Sequence, residues 1–306
     1  MSKRDFLCVG DLSLDEARHV LSLATTLKAA PKGSLADELR GRAVAIVMEK
    51  ASTRTRVSFE VGVAQLGGHP VVLSTQGSQL ARGEPVFDTA RVLSRYCDAI
   101  VYRTSETARL REMARAPVPV VNALSDDGHP VQILCDLFTI EEVLARRGDA
   151  RALSDLTVAW VGDGSSNMAR SFVEAAGIFG FQLRIAAPEG YRPPADEVAK
   201  AGGRVSLHDR PEDALRGAVA VNTDVWTSMG QEAENEARLR AFAGWTVTEA
   251  MLGAAAPDAF VLHCLPAHRG EEIDDATIEG PRSVVWDQAE NRLHVQKALL
   301  CFLLGV

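Results

Sequence analysis

Cysteine is sparse and scattered: Cys8, Cys97, Cys135, Cys264 and Cys301 include no C-x-x-C pair. That pattern gives neither a disulfide framework nor a zinc cluster, and it fits a reducing cytoplasm. Basic charge is also short, with 33 Lys plus Arg against 41 Asp plus Glu and a formal net charge of -8. A nucleic-acid surface is disfavoured, and any local cluster of arginines must serve a specific purpose. No apolar run approaches the length that crosses a bilayer, and Met1 to Asp5 leads into none, so neither a membrane partner nor export is expected. A third glycine is missing where a dinucleotide fingerprint would need it. Gly162-Asp163-Gly164 opens such a turn, but Asn167 stands at the position of the last glycine. A nicotinamide-dependent oxidoreductase is therefore disfavoured, with Glu189 the residue that keeps this alternative in view.

What is present centres on one junction. Ala43 to Met48 is a continuous apolar run of strand length, followed by Ser52-Thr53-Arg54-Thr55-Arg56 and then by Val57, Val61, Ala64 and Leu66 at helical spacing. A helix start offers unpaired N–H groups and the positive end of a dipole. Ser52, Thr53 and Thr55 add hydroxyls there, and Arg54 adds a fork matched to phosphate oxygens. A capped helix with solvated arginines is the plain alternative. Five consecutive polar donors favour an anion site, most naturally for phosphate.

At 306 residues about two domains are expected. The capping box Ser13/Glu16 opens a helix with Leu14, Ala17, Val20, Leu21 and Leu27 on one face, ending near Pro31. Strands are expected at 70–73, 99–102 and 118–122. The second delivers Arg103 to the same edge as the first junction. His129 and Gln132, three apart around the start of a helix through Leu144, can face one ligand, although a helix that merely begins with His-Pro reads equally well. A second series of strands is expected at 157–161, 183–186, 205–208, 219–222, 260–262 and 283–286. Between them, Asp224 to Gly230 leads into an acidic, helix-permissive run and reads as a mobile lid. His263-Cys264 invites a thiol-nucleophile hypothesis, but no second motif for acyl transfer supports it. A closing helix, Asn291 to Leu304, with Leu293, Leu300 and Leu304 inward, is expected to pack back on the first half. The fold class is α/β: two doubly wound parallel-sheet domains with helices on both faces and an active site in the crevice between them. The domains are expected at 1–147, joined by 288–306, and at 148–287.

Ser52 to Arg56 with Ser58-Phe59-Glu60 resembles the carbamoyl phosphate site of the aspartate and ornithine carbamoyltransferases, and Asp224 to Gly230 with His263-Cys264-Leu265-Pro266 resembles the ornithine branch. The resemblance runs over nearly the whole chain. It implies that Ser52, Thr53, Arg54, Thr55, Arg103, His129 and Gln132 hold carbamoyl phosphate, while Cys264, Leu265 and Arg292 receive its amide end through backbone carbonyls. Asn167, Asp224, Ser228 and Met229 would hold L-ornithine. Arg54, Thr55, Arg103, His129 and Cys264 would form the catalytic set, with no metal or other cofactor. Ser166 replaces the first of the family's usual paired asparagines, and Ala81 the glycine of its Gln-Leu-Gly motif. The implied reaction gives citrulline and phosphate, in arginine biosynthesis; putrescine or a modified ornithine is the alternative amine. The resemblance also implies a homotrimer, or a multiple of trimers, in which Gln79 reaches a neighbour's carbamoyl phosphate. A noncatalytic paralogue would be signalled by loss of Arg54, Arg103 or His129, and all three are present.

Overall fold

The computed structural model describes residues 3–31, 36–74, 80–227 and 234–306. It divides into one compact unit of residues 1–135 and 290–306 and another of residues 136–289. The expected breaks lay at 147/148 and 287/288. The observed divisions fall inside helices, where no Gly or Pro marks them.

The first unit begins with α1 (Leu14–Ala29), where Ser13 Oγ accepts from the Glu16 amide at 3.3 Å and Glu16 Oε2 accepts from the Ser13 amide at 2.9 Å. These reciprocal bonds are the capping box read from the sequence. Then follow β1 (Ala43–Met48), α2 (Thr53–Gln65), β2 (His69–Ser74), α3 (Val86–Leu93), β3 (Ala99–Arg103), α4 (Thr107–Met113), β4 (Val120–Leu124) and α5 (Pro130–Arg146), whose first residues complete this part of the unit. The four strands are parallel in the order β2-β1-β3-β4. The chain leaves β1 toward one side and returns for β3 on the other, which makes the gap beyond the ends of β1 and β3 a topological switch point. Met48 pairs with Arg103 there.

The second unit contains β5 (Thr157–Val161), α6 (Asn167–Phe179), β6 (Gln182–Ala186), α7 (Ala195–Lys200), β7 (Val205–His208), α8 (Pro211–Leu215), β8 (Ala220–Thr223), α9 (Asn235–Ala241), α10 (Glu249–Leu252), β9 (Phe260–His263) and α11 (Asp275–Ile278). Helix α12 (Val285–Leu304) starts here and ends in the first unit. The sheet is again wholly parallel, β7-β6-β5-β8-β9, with its switch point between β5 and β8. Central strands buried on both faces carry continuous apolar runs, such as Ala45-Ile46-Val47 and Val158 to Val161.

Several expectations change. Ser283 to Trp286 is not a strand: Ser283 makes an isolated bridge to Val261, and α12 begins at Val285. A short apolar run does not separate helix from strand by periodicity. Leu14 is 41 % exposed, outside the buried face of α1. On α2, Phe59, Gly62, Val63 and Leu66 are buried, whereas Val57 and Val61 are 49 % and 39 % exposed. On α12 Leu300 is buried but Leu293 and Leu304 are only partly so, and Val295, Ala298, Leu299 and Cys301 provide the inner face. Residues 290–304 of this helix fall in the first unit.

Candidate active site

In the first unit, Ser52 caps α2 in extended conformation, and its Oγ accepts from the Thr55 amide at 3.4 Å. The Thr55 side chain is buried and becomes a hub. Its Oγ1 accepts from Ser52 Oγ at 3.0 Å, from Arg292 Nη2 at 2.8 Å and from Arg103 Nη1 at 3.5 Å. A hydroxyl oxygen has two lone pairs, so the long Arg103 bond is the weakest of the three and the easiest to redirect to a ligand. Arg292 Nη1 also donates to Gln132 Oε1, which ties the start of α5 to the same cluster. No acidic residue lies in the first turn of α2, where helices favour one, and among the described residues the Arg54 side chain makes no hydrogen bond or ion pair. Thr53 is exposed beside it.

His129 sits immediately before α5 and is 4 % exposed. Burial, then the Arg292 and Arg103 charges, push its imidazole well below the ordinary value of 6.5. The ring is therefore neutral at pH 7 and able to donate a hydrogen bond without adding charge.

Sequence reasoning missed what lies behind Arg103. The Glu49 carboxylate accepts from Tyr102 Oη at 2.7 Å, from the Thr104 hydroxyl and from the Arg109 guanidinium. The Glu49 amide donates to the Arg103 carbonyl at 2.9 Å. Tyr102 and Thr104 flank Arg103, so strand alternation puts Glu49 behind β3 and sends Arg103 forward. Burial opposes ionisation of Glu49, but Arg109 and the two hydroxyls hold its carboxyl below the usual range.

In the second unit, Gly162 has φ +126°, a conformation open to glycine, at the turn after β5. Ser166 caps α6, its Oγ accepting from the Ala169 amide at 3.2 Å, so the residue that departs from the family pattern performs a task asparagine also performs. Asn167 is the first residue of that helix. Asp224 follows β8 and is 8 % exposed; burial pushes its carboxyl above the ordinary range, opposed by His263 and by a bond from Cys264. Cys264 Sγ donates to Asp224 Oδ1 at 3.1 Å, a side-chain role additional to the backbone one implied by the resemblance.

His263 and Glu272, both fully buried, stand behind that pair. His263 Nδ1 accepts from the Leu265 amide at 2.9 Å, which leaves the ring proton on Nε2, 3.0 Å from Glu272 Oε1. Glu272 Oε1 also accepts from the His268 amide at 2.7 Å, and Leu265 has a left-handed φ of 58°. The turn that presents Cys264 and Leu265 is thus pinned at both ends. Asp224, His263 and Cys264 could group their ligand atoms around a metal, as could His268, Glu271 and Glu272. Both ring nitrogens of His263 are already committed, so the first trio would have to give up existing bonds. Gln79, Ser228 and Met229 lie outside the described residues.

Two family models cover the chain: the carbamoyl-P binding domain of aspartate/ornithine carbamoyltransferase matches residues 4–142, and the Asp/Orn binding domain of the same family matches residues 154–303. An ornithine carbamoyltransferase of Sorangium cellulosum is 65% identical, over 100% of this chain and 99% of that protein. Among solved structures, the ornithine carbamoyltransferase of Pyrococcus furiosus has a TM-score of 0.91 at 44% identity, covering 99% of this chain and 98% of that one. An anabolic ornithine carbamoyltransferase from Campylobacter jejuni has a TM-score of 0.90 at 39% identity, covering 98% of each chain. With both domain models matched in order over almost its full length, the chain belongs to the aspartate/ornithine carbamoyltransferase family.

Proposed function

We propose that the protein transfers the carbamoyl group of carbamoyl phosphate to the δ-amine of L-ornithine, giving L-citrulline and phosphate. The observation that carries the reading is the convergence of Ser52, Arg103 and Arg292 on Thr55 at a helix start where Arg54 has no partner among the described residues. Such a seat suits a phosphate dianion. The neutral amine attacks the carbonyl carbon, and negative charge builds on the carbonyl oxygen. Donors from Thr55, Arg103 and neutral His129 stabilise it. The C–O bond to phosphate then breaks, and Ser52, Thr53, Arg54 and Gln132 hold the departing anion. Cys264, Leu265 and Arg292 orient the amide end.

Asn167 and Asp224, with Ser228 and Met229, hold ornithine. An acidic Asp224 beside a thiol suits a cationic ammonium and not the second carboxylate of aspartate, which favours ornithine within the family. We place the reaction in arginine biosynthesis, in line with the anabolic name of the Campylobacter jejuni relative. Cytoplasmic residence is supported by five free cysteines. Among the described residues no helix is long and apolar enough to cross a membrane.

The same proposal includes a homotrimer, or a multiple of trimers, with Gln79 completing a neighbour's site. The exposed Val57 and Val61, one helical turn apart beside the phosphate turn, are the apolar stripe that a neighbouring subunit would cover. An amine panel with carbamoyl phosphate, read as ureido product, tests the activity; turnover of putrescine or aspartate equal to that of ornithine overturns it. Refolding Gln79→Ala and Arg54→Ala chains together tests the shared site: activity should return well above the sum of the parents. Mixed assemblies no more active than that sum overturn it.

A further inference from the structure

The connections after β5 and after β8 are joined twice. Close to the strands, the Thr223 hydroxyl donates to the Val161 carbonyl at 2.7 Å, and a Cβ at Gly162 would lie 3.5 Å from Thr223 Oγ1 and from Trp226 Nε1. Further out, Arg238 of α9 bridges them. Its Nη1 donates to Asp163 Oδ2 at 2.6 Å and to the Trp226 carbonyl at 2.9 Å. The side chains of this ion pair are only 7% and 5% exposed. The other oxygen of Asp163 accepts from the amide and hydroxyl of Ser165 at 2.9 and 2.6 Å. The Trp226 ring stacks on Phe242 at 5.3 Å, and the Arg238 guanidinium lies 5.2 Å from the Tyr191 ring centroid.

Ser165 precedes Asn167 by two residues, and Trp226 follows Asp224 by two. One guanidinium therefore ties together the two connections that carry Asn167 and Asp224. A buried ion pair is weak evidence for stability, because desolvation offsets much of its attraction. A planar donor bonded to two separate connections does fix the distance between them. We propose that Asp163 and Arg238 are positioning residues that set the spacing of Asn167 and Asp224 and so govern affinity for ornithine. This inference rests on reading those two residues as ornithine contacts.

Steady-state kinetics on the full chain, paired with thermal unfolding, tests it. In the Asp163→Asn/Arg238→Met double variant both charges are gone, so neither member of the pair is left as an unpaired buried ion. Its ornithine KM should rise by about ten- to hundredfold, with kcat at saturating ornithine and the carbamoyl phosphate KM within about threefold. Arg238→Lys keeps the charge but loses the planar fork, and its ornithine KM should be raised by an intermediate factor. This variant is read whether or not the double variant folds. Unchanged ornithine KM in folded variants overturns the inference, as does an equal loss on the carbamoyl phosphate side. Asp224→Asn separates the two layers of the argument. If it raises ornithine KM while the Arg238 variants do not, the spacing role fails and the ornithine contact stands; if it leaves ornithine KM unchanged, the contact itself fails.

Discussion

At the switch point of the first sheet, the partners of Arg103 and Arg292 include a hydroxyl and an amide oxygen, and Arg54 has no partner among the described residues. At that of the second, Arg238 is matched by Asp163, and the acid Asp224 faces a thiol. The first arrangement keeps positive charge in reserve, and the second keeps a shielded acid. Since both sheets are parallel and doubly wound, this difference is written in side chains and not in topology. It suits one substrate that arrives as a dianion and another that arrives as a cation, and preorganised charge of this kind is where most catalytic stabilisation originates.

The comparison breaks most visibly if charge is removed from each side in turn. Arg54→Ala should lower kcat/KM by roughly a hundredfold or more and weaken carbamoyl phosphate binding, measured by equilibrium competition with phosphate. Asp224→Asn should instead raise ornithine KM and leave that competition unchanged. A loss shared equally between the two substrates in both variants would erase the distinction. Cys264→Ser should be milder, about tenfold or less in kcat/KM, because serine also offers a donor to Asp224. If it matched Arg54→Ala, a covalent thiol mechanism would return to consideration.

A smaller effect concerns pH. His129 is held neutral in the fold, below its ordinary value of 6.5, so the unfolded chain binds a proton that the folded chain refuses as pH falls. Its contribution is fully present above about pH 6.5 and is lost as pH drops from there toward the depressed folded value. Chemical denaturation at pH 7 and pH 5 should show this decline, and His129→Gln should flatten it. An equally steep decline in the variant would assign it elsewhere. The smallest effect is expected at Ser166: alanine should cost about 1 kcal/mol by loss of the α6 cap, and asparagine only a few tenths. Equal melting of the wild type and the alanine variant would show that the cap contributes nothing.

The side chains gathered around Thr55 were most legible where they are contiguous in sequence. Ser52 to Thr55 and the pair His129/Gln132 carry their spacing within a single turn of helix, and apolar runs revealed the strands that deliver them. Partners chosen by the fold were not legible. Arg109 meets Glu49 across 60 residues and Arg238 meets Asp163 across 75, and nothing local marks either arginine. Val57 and Val61 misled for a related reason, since helical spacing reports a face but not whether that face is covered within one chain. The unit divisions inside α5 and α12 were missed because a continuous helix carries no breaker.

Arg292 reaches Thr55 across 237 positions, and Lys28 donates to Asn291 Oδ1 at 2.6 Å across 263. During synthesis the second unit is made between these partners, so the phosphate turn leaves the ribosome long before the arginine that completes it. A nascent or nonsense-truncated chain ending before residue 290 would hold the whole second unit and still lack the Arg292 bond to Thr55. The hydrogen-bond cluster around Thr55 is therefore completed only after the second unit has been made.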